Sequence, residues 1–368
     1  MSDSTAVICE FNPIHPGHRH LLSLARTGGG PVICVMSGHF TERGTPALFD
    51  KYARAEAAVR CGADLVLELP YPWSASGAED FARGGGAVAA GIGAGSLMFG
   101  SESGDLSLLR AAADYRGSEE FRGRMVRAEA EKRGAGSGVL FEEVLAERGI
   151  ILTGGNDRLG VEYIRFGRER GIGDFRPVKR LTGVPSASEI RDAFASGGWE
   201  AAEELVAEEA LPALKNAVLC PEAGFDALLF AHARLYLGGE TENDLLRYAA
   251  KTARASADPG AFTADLPTKK YTAARMRREL LYSILGRGQP ERDPRFTLLL
   301  AANGRGRAVL AARRKENGIP VIVRPADTSS LDEEGKSQIA LNRSADDLYA
   351  YLTGKPAGEW MRKSAVML

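Results

Sequence analysis

Residues 9–22 read CEFNPIHPGHRHLL and hold three of the chain's five histidines, His15, His18 and His20, beside Pro13, Pro16 and Gly17. The apolar run TAVICEF (5–11) precedes them and the helical pattern GHRHLLSLAR (17–26) follows. A strand that feeds a Pro-containing turn and then a helix leaves unpaired N–H groups and the positive end of the helix dipole facing the turn, which suits an anion. Gly17 lets a phosphate approach the backbone, and both imidazoles of His15-Pro16-Gly17-His18 reach the same place. An imidazole there can donate to a phosphoryl oxygen or, when protonated, support charge that develops during displacement at phosphorus. A pair of ordinary helix-capping histidines is the plain alternative. A metal site would need a third ligand, and none is evident nearby, so no metal ligands are assigned.

The pattern around this turn fixes the fold class. PVICVMS (31–37), ADLVLELP (63–70) and SLMFGS (96–101) also read as buried strands, separated by the helical stretches DKYARAEAAVRCG (50–62) and SGAEDFARGGGAVAAGI (76–92). Strand–helix alternation predicts a Rossmann-like, doubly wound α/β domain with a parallel sheet, whose ligands lie beyond the carboxyl ends of the strands. The glycines of GGGAVAAGIGAG predict tight helix packing. Residues 105–170 turn helical and charged, strand character returns in DFRPVKRL (174–181), and SASEIRDAF (186–194) opens a helix behind a Ser. Beyond, helical patterns dominate, with a small βαβ-like insert at RFTLLLA, GRGRAVLAARRKENG and IPVIVRP. With 368 residues and roughly 100–200 per domain, two domains are expected, possibly three, with the α/β domain over 1–195 and a mainly helical domain over 196–368.

The net charge is −1, so any anionic partner must be held by a local basic patch. Two runs qualify: TKKYTAARMRREL (268–280), with Lys269, Lys270, Arg275, Arg277 and Arg278, and the run over 303–318 that includes Arg313 and Arg314. Solvated helix faces are the competing reading; two such runs in one domain of a near-neutral chain favour an RNA surface. Cys9, Cys34, Cys61 and Cys220 form no CxxC pair and read as buried thiols, and no apolar stretch nears the ~18 residues of a membrane span. A cytoplasmic protein with no membrane partner is expected. Asp50, Lys51 and Arg54 are spaced to share one helical face, though a capping Asp and a solvated Lys explain the first two as well.

HPGH after the first strand, together with PSASEIR (185–191), resembles the HxGH nucleotidylyltransferase superfamily. VICEFNPIHPGHRHLL, VMSGHFTERGTPALFDKYARAEAAVRCGADLVLELP, FGSESGD, LGVEYI, RPVKR and SASEIR further resemble the bacterial tRNA(Met) cytidine acetate ligase family, and the likeness continues through TKKYTAARMRRELLYSILG, IPVIVRPAD and SADDLYAY. The resemblance implies an enzyme that converts ATP and acetate to acetyl-adenylate and passes the acetyl group to the wobble cytidine of elongator tRNA(Met), with Mg2+ expected on the phosphates.

It implies an ATP-binding segment of Val7, Ile8, Cys9, Glu10, Phe11, Asn12, Pro13, Ile14, His15, Pro16, Gly17, His18, Arg19 and His20. Gly100, Asn156, Arg180, Ser188 and Arg191 join it, with a turn glycine, a cap for the helix starting near Asp157 and a surface arginine as the plain alternatives for the first three, and His15, His18 and Arg180 are cast as the catalytic groups. The sequence departs from the family pattern at Phe141, where the family carries an Arg, and at Gly155-Asn156-Asp157, where it carries Pro-Asn-Asn. Two other readings stay open: an adenylyltransferase for a small phosphorylated acceptor, to which the basic runs would be useless, and a non-catalytic RNA-binding descendant, against which the intact HPGH and SASEIR motifs argue.

Overall fold

The computed structural model describes residues 4–132, 134–237, 243–313 and 318–368. Its first half alternates as the sequence predicts: β1 (Thr5–Cys9), α1 (Pro16–Arg26), β2 (Val32–Ser37), α2 (Lys51–Arg60), β3 (Leu65–Leu69), α3 (Ala78–Gly91) and β4 (Ser96–Ser101). Helices α4 (Leu106–Gly117), α5 (Glu119–Glu131), α6 (Ser137–Ala146) and α7 (Gly155–Glu169) precede β5 (Asp174–Lys179). β1 stops two residues short of Phe11, which takes φ +46°, a left-handed conformation that ends a strand.

The remainder is mainly helical, with α8 (Ala187–Ala202), α9 (Leu211–Leu214), α10 (Glu222–Leu235), α11 (Asp244–Ala255), α12 (Pro259–Asp265) and α13 (Ala273–Leu285). It also contributes β6 (Thr297–Ala302), α14 (Gly304–Arg313), β7 (Val321–Ile322), α15 (Glu333–Leu352), α16 (Glu359–Arg362) and β8 (Val366–Met367).

The strand order is β5-β4-β1-β2-β3-β6-β7, with β8 beside β6. β3 and β6 pair antiparallel and every other described pair is parallel. β5 lies at the open edge, where Pro177 costs the ladder nothing. Successive residues of a strand face opposite sides, and here both sides are apolar: Val7, Cys9, Cys34 and Met36 enter one core with α1, α2, α8, α10, α13 and α15, while Ala6, Ile8, Ile33 and Val35 enter the other with α3, α4, α7 and α14. Each fully buried aliphatic side chain contributes about 1.5–3 kcal/mol, and this two-sided burial is why the strands read as unbroken apolar runs. The glycines of α3 do pack tightly; a Cβ at Gly85 would lie 2.7 Å from the Ile8 side chain on β1. All four cysteines are free and buried, and no described helix is long and apolar enough to cross a membrane.

The Asp50, Lys51 and Arg54 face proves to be interior. Asp50 caps α2, accepting from Tyr52 and Ala53 N–H. Lys51 is not solvated: its Nζ lies 2.9 Å from Glu68 Oε2 on β3 and 2.8 Å from Asp346 Oδ2 on α15. Burial alone would pull its pKa down, but Asp346 and Glu68 hold it above the ordinary lysine value. Arg54 donates to the carbonyls of Phe49, Glu10, Ser37 and Gly38. These charges tie α2 to the ends of β1, β2 and β3 and to α15.

Candidate active site

The loops after β1, β2, β3, β4 and β5 gather at the carboxyl edge of the sheet, where doubly wound sheets take their ligands. His15 is the N-cap of α1, in extended conformation, with Pro16 in the first turn. Its Nδ1 accepts the Gly17 N–H at 3.1 Å. A Cβ on residue 17 would lie 3.0 Å from His15 Cε1, so glycine is what lets the imidazole fold back over the helix start. The His15 and His18 rings stack with centroids 3.7 Å apart and planes at 26°, and Phe11 backs His18 at 5.0 Å.

Burial first, and then the positive charge of Arg180, lowers the His15 pKa to about 4. Burial, His15 and Arg180 together hold His18 well below its ordinary value. Both rings are therefore neutral near pH 7. Because His15 Nδ1 accepts a hydrogen bond, its proton sits on Nε2, which makes that nitrogen a donor. His18 Nδ1 is buried and has no hydrogen-bond partner among the described residues.

The SASEIR helix, α8, is joined to this turn. Ser186 caps it, with a reciprocal bond from Glu189, and Arg191 donates through Nη1 to the Asn12 carbonyl at 2.8 Å and through Nη2 to Ser188 Oγ at 3.1 Å. Asn12 Oδ1 in turn accepts from Leu48 N–H at 2.7 Å, and Glu10 accepts from Glu42 N–H at 2.6 Å. Val7, Ile8 and Cys9 are buried within β1, and Pro13 and Ile14 beneath the turn. His20 is half-buried on α1, while Arg19 faces outward and pairs with Glu209.

At the ends of β4 and β5, Gly100 has open space where a Cβ would stand. The Arg180 main-chain N–H donates to the Ser101 carbonyl at 3.0 Å, and its half-exposed guanidinium lies 3.7 Å from Glu102. Asn156, on the first turn of α7, donates through Nδ2 to Glu102 Oε1 at 2.7 Å. Neither Glu102 nor the bonds of Asp157 stand out in the sequence. The available signal was an acid set between two serines in FGSESGD.

The basic residues separate. Lys269 and Lys270, just before α13, and Arg275 on its first turn are exposed, and Arg275 pairs with Glu279 at 3.0 Å. Arg277 turns inward to Asp226 on α10, 3.5 Å away, and Arg278 to Glu42, 3.0 Å away. Arg313 donates to the Gly91 carbonyl at 2.9 Å, just before β4 and so at the amino edge of the sheet, opposite the HPGH turn. Arg314 lies outside the described residues. Among the described residues no group of three or more His, Cys, Asp or Glu is arranged to hold a metal ion.

A family model described as HIGH Nucleotidyl Transferase matches residues 2–363. The tRNA(Met) cytidine acetate ligase of Syntrophotalea carbinolica is 33% identical, over 87% of this chain and 84% of that protein. That of Pediococcus pentosaceus is 32% identical, over 94% and 93%. Among solved structures, Thermotoga maritima TmcAL bound with alpha-thio ATP aligns at a TM-score of 0.86 and 25% identity, over 100% of this chain and 99% of that one. The apo form of the same protein aligns at 0.89.

Proposed function

The chain belongs to the HIGH nucleotidyl transferase family, and from that premise we propose that it is an ATP-dependent ligase that activates acetate as acetyl-adenylate and transfers the acetyl group to the wobble cytidine of elongator tRNA(Met), giving N4-acetylcytidine. The observation that carries the reading is the stacked, neutral His15–His18 pair over the amide-rich start of α1, in a chain alike almost end to end to named acetate ligases.

Acetate oxygen attacks the α-phosphorus, and the bond from that phosphorus to the bridging oxygen of pyrophosphate breaks. His15 Nε2–H, His18 and Arg180 donate to the phosphoryl oxygens as charge builds, with Ser188 and Arg191 bracing the turn. The strand-to-helix segment from Val7 to His20, with Gly100 and Asn156, cradles the nucleotide. The cytidine amine then attacks the acetyl carbon, AMP leaves, and the amine gives up a proton. Orientation and fixed dipoles supply the acceleration, and no protein nucleophile is needed. The described residues do not form a resident metal site; Mg2+ would arrive on the triphosphate as part of the substrate.

Residues 1–195 would carry the adenylation chemistry and 196–368 would hold the tRNA, with Lys269, Lys270 and Arg275 as its phosphate contacts. Four free thiols suit the reducing cytoplasm, where tRNA and ATP are found. The test is nucleoside analysis of tRNA(Met) incubated with the protein, ATP and labelled acetate. Label in N4-acetylcytidine, dependent on both ATP and His18, is the expected result; unlabelled tRNA with an active ATP–pyrophosphate exchange would move the acceptor elsewhere.

A further inference from the structure

The turn after β4 and the start of α7 exchange hydrogen bonds in both directions. Glu102 accepts the Asp157 N–H on Oε2 at 3.0 Å and the Asn156 side chain on Oε1 at 2.7 Å. Asp157 accepts the Glu102 N–H at 3.0 Å, Ser103 N–H at 3.3 Å and Thr153 Oγ1–H at 2.8 Å, together with the Ser101 hydroxyl. Burial alone would raise the Asp157 carboxyl, but the bonds from Ser101, Thr153 and Ser103 hold it below its ordinary value. A Cβ at residue 154 would stand 2.5 Å from Glu102 Cδ, so Gly154 opens the space the carboxylate fills. Glu102 is thus fixed on both oxygens, whereas Arg180, half exposed and 3.7 Å away, is held only by charge.

A carboxylate can only accept, so the Asn156 amide must turn its NH2 toward Glu102 and its Oδ1 away. We infer that Glu102 is a specificity-determining positioning residue, which fixes the Asn156 amide so that its oxygen meets a hydrogen-bond donor on the nucleoside of ATP. The inference rests on the ATP-dependent reading above and adds to it the reason one nucleotide is chosen. The donor is either the adenine 6-amino group or a ribose hydroxyl. A site built to pair with such a donor rejects an analogue without it, because the acceptor, covered once the nucleotide binds, is then left unpaired.

Glu102→Gln reverses the arrangement while keeping the shape. Its amide oxygen goes to the Asp157 N–H, which bonds Glu102 at 3.0 Å, in preference to the Asn156 main-chain N–H at 3.4 Å, so its NH2 faces the Asn156 side chain, which flips to present Oδ1 inward and NH2 to the nucleotide. The experiment measures equilibrium binding and acetate-dependent pyrophosphate exchange for ATP, inosine triphosphate, 2′-deoxyATP and 3′-deoxyATP, using the full chain as wild type, E102Q and N156A. Wild type should favour ATP at least tenfold over one analogue, and that analogue names the donor. In E102Q and N156A the preference should fall below threefold. N156A leaves the Glu102–Asp157 lock in place, so it still gives the answer should E102Q fold poorly.

Equal binding of all four nucleotides by wild type overturns the inference, as does undiminished preference in N156A or in folded E102Q. Wild type that binds ATP selectively without exchange defeats the functional reading while the binding constants still decide the role of Glu102. Wild type that binds no ATP overturns both.

Discussion

Arg278 donates through Nη1 to both the main-chain carbonyl of Glu42, at 2.6 Å, and its carboxylate, at 3.0 Å. Glu42 passes the connection on, its N–H bonding Glu10 at the end of β1. Gly44, at φ +72°, presses so close that a Cβ there would stand 2.7 Å from the Arg278 main-chain nitrogen. The loop after β2 is therefore clamped between the strand that leads into the HPGH turn and the helix that carries the basic run. Arg278 and Arg277 of that run serve the fold, while Lys269, Lys270 and Arg275 remain on the surface.

Arg278→Ala should accordingly lower stability by about 1.5–3 kcal/mol, the range for a hydrogen bond to a charged group, as read by denaturant unfolding. Lys269→Ala and Lys270→Ala should leave the unfolding midpoint unchanged and raise the KM for tRNA instead. Each should also reduce the salt dependence of tRNA binding by about one counterion. An unaltered tRNA KM in the Lys269/Lys270 double variant would move the RNA surface away from the segment that leads into α13.

His18→Ala removes a stacked donor without emptying the α1 cap, which belongs to His15. Loss of one preorganised donor to a developing phosphoryl charge costs about 10²–10³ in kcat. The acetate-dependent exchange of pyrophosphate into ATP should fall by that factor while ATP still binds. Full exchange in the variant would remove His18 from the chemistry.

What the sequence made legible follows from how local each signal is. The HPGH turn, the four buried strands and the SASEIR cap announce themselves because Pro, Gly, His, β-branched runs and a capping Ser act over a few residues. The partners of Lys51 are 17 and 295 positions away, so a lysine that reads as solvated is in fact the centre of a buried ion cluster. β6 is recognisable as a strand from RFTLLLA, but its antiparallel place beside β3 depends on the chain returning more than 200 residues later. Glu102 looks like a surface acid until α7 is folded against it.

Acid should unfold the protein through its neutral imidazoles. In the folded state His15 takes a proton only near pH 4, whereas in the unfolded chain it does so near its ordinary 6.5. Its contribution is therefore complete above about pH 6.5, declines as pH falls toward 4 and is exhausted below; a shift of that size is worth about 3 kcal/mol. His39, also held low by burial, adds to the same limb. His15→Asn keeps a capping side chain and should make unfolding free energy less steep between pH 6.5 and 4. A parallel pH profile for wild type and variant would show that His15 is not buried as a neutral base.

The ion cluster offers the sharpest stability test. Asp346 accepts from Lys51 at 2.8 Å and bonds His39 Nδ1 at 2.7 Å, and His39 stacks on Tyr349 with centroids 4.1 Å apart. Asp346→Ala leaves Lys51, fully buried, with Glu68 alone and His39 without a partner on Nδ1. Breaking a buried pair from one side costs about 3–5 kcal/mol, whereas replacing all of its members by apolar groups of similar volume is often neutral. Guanidinium unfolding should therefore find D346A destabilised by that amount, and the triple variant K51M/E68L/D346L nearer to wild type than D346A. A loss below about 1 kcal/mol in D346A, the range of an exposed ion pair, would mean that water reaches the cluster, and the junction between α2, β3 and α15 would have to be held by its apolar contacts alone.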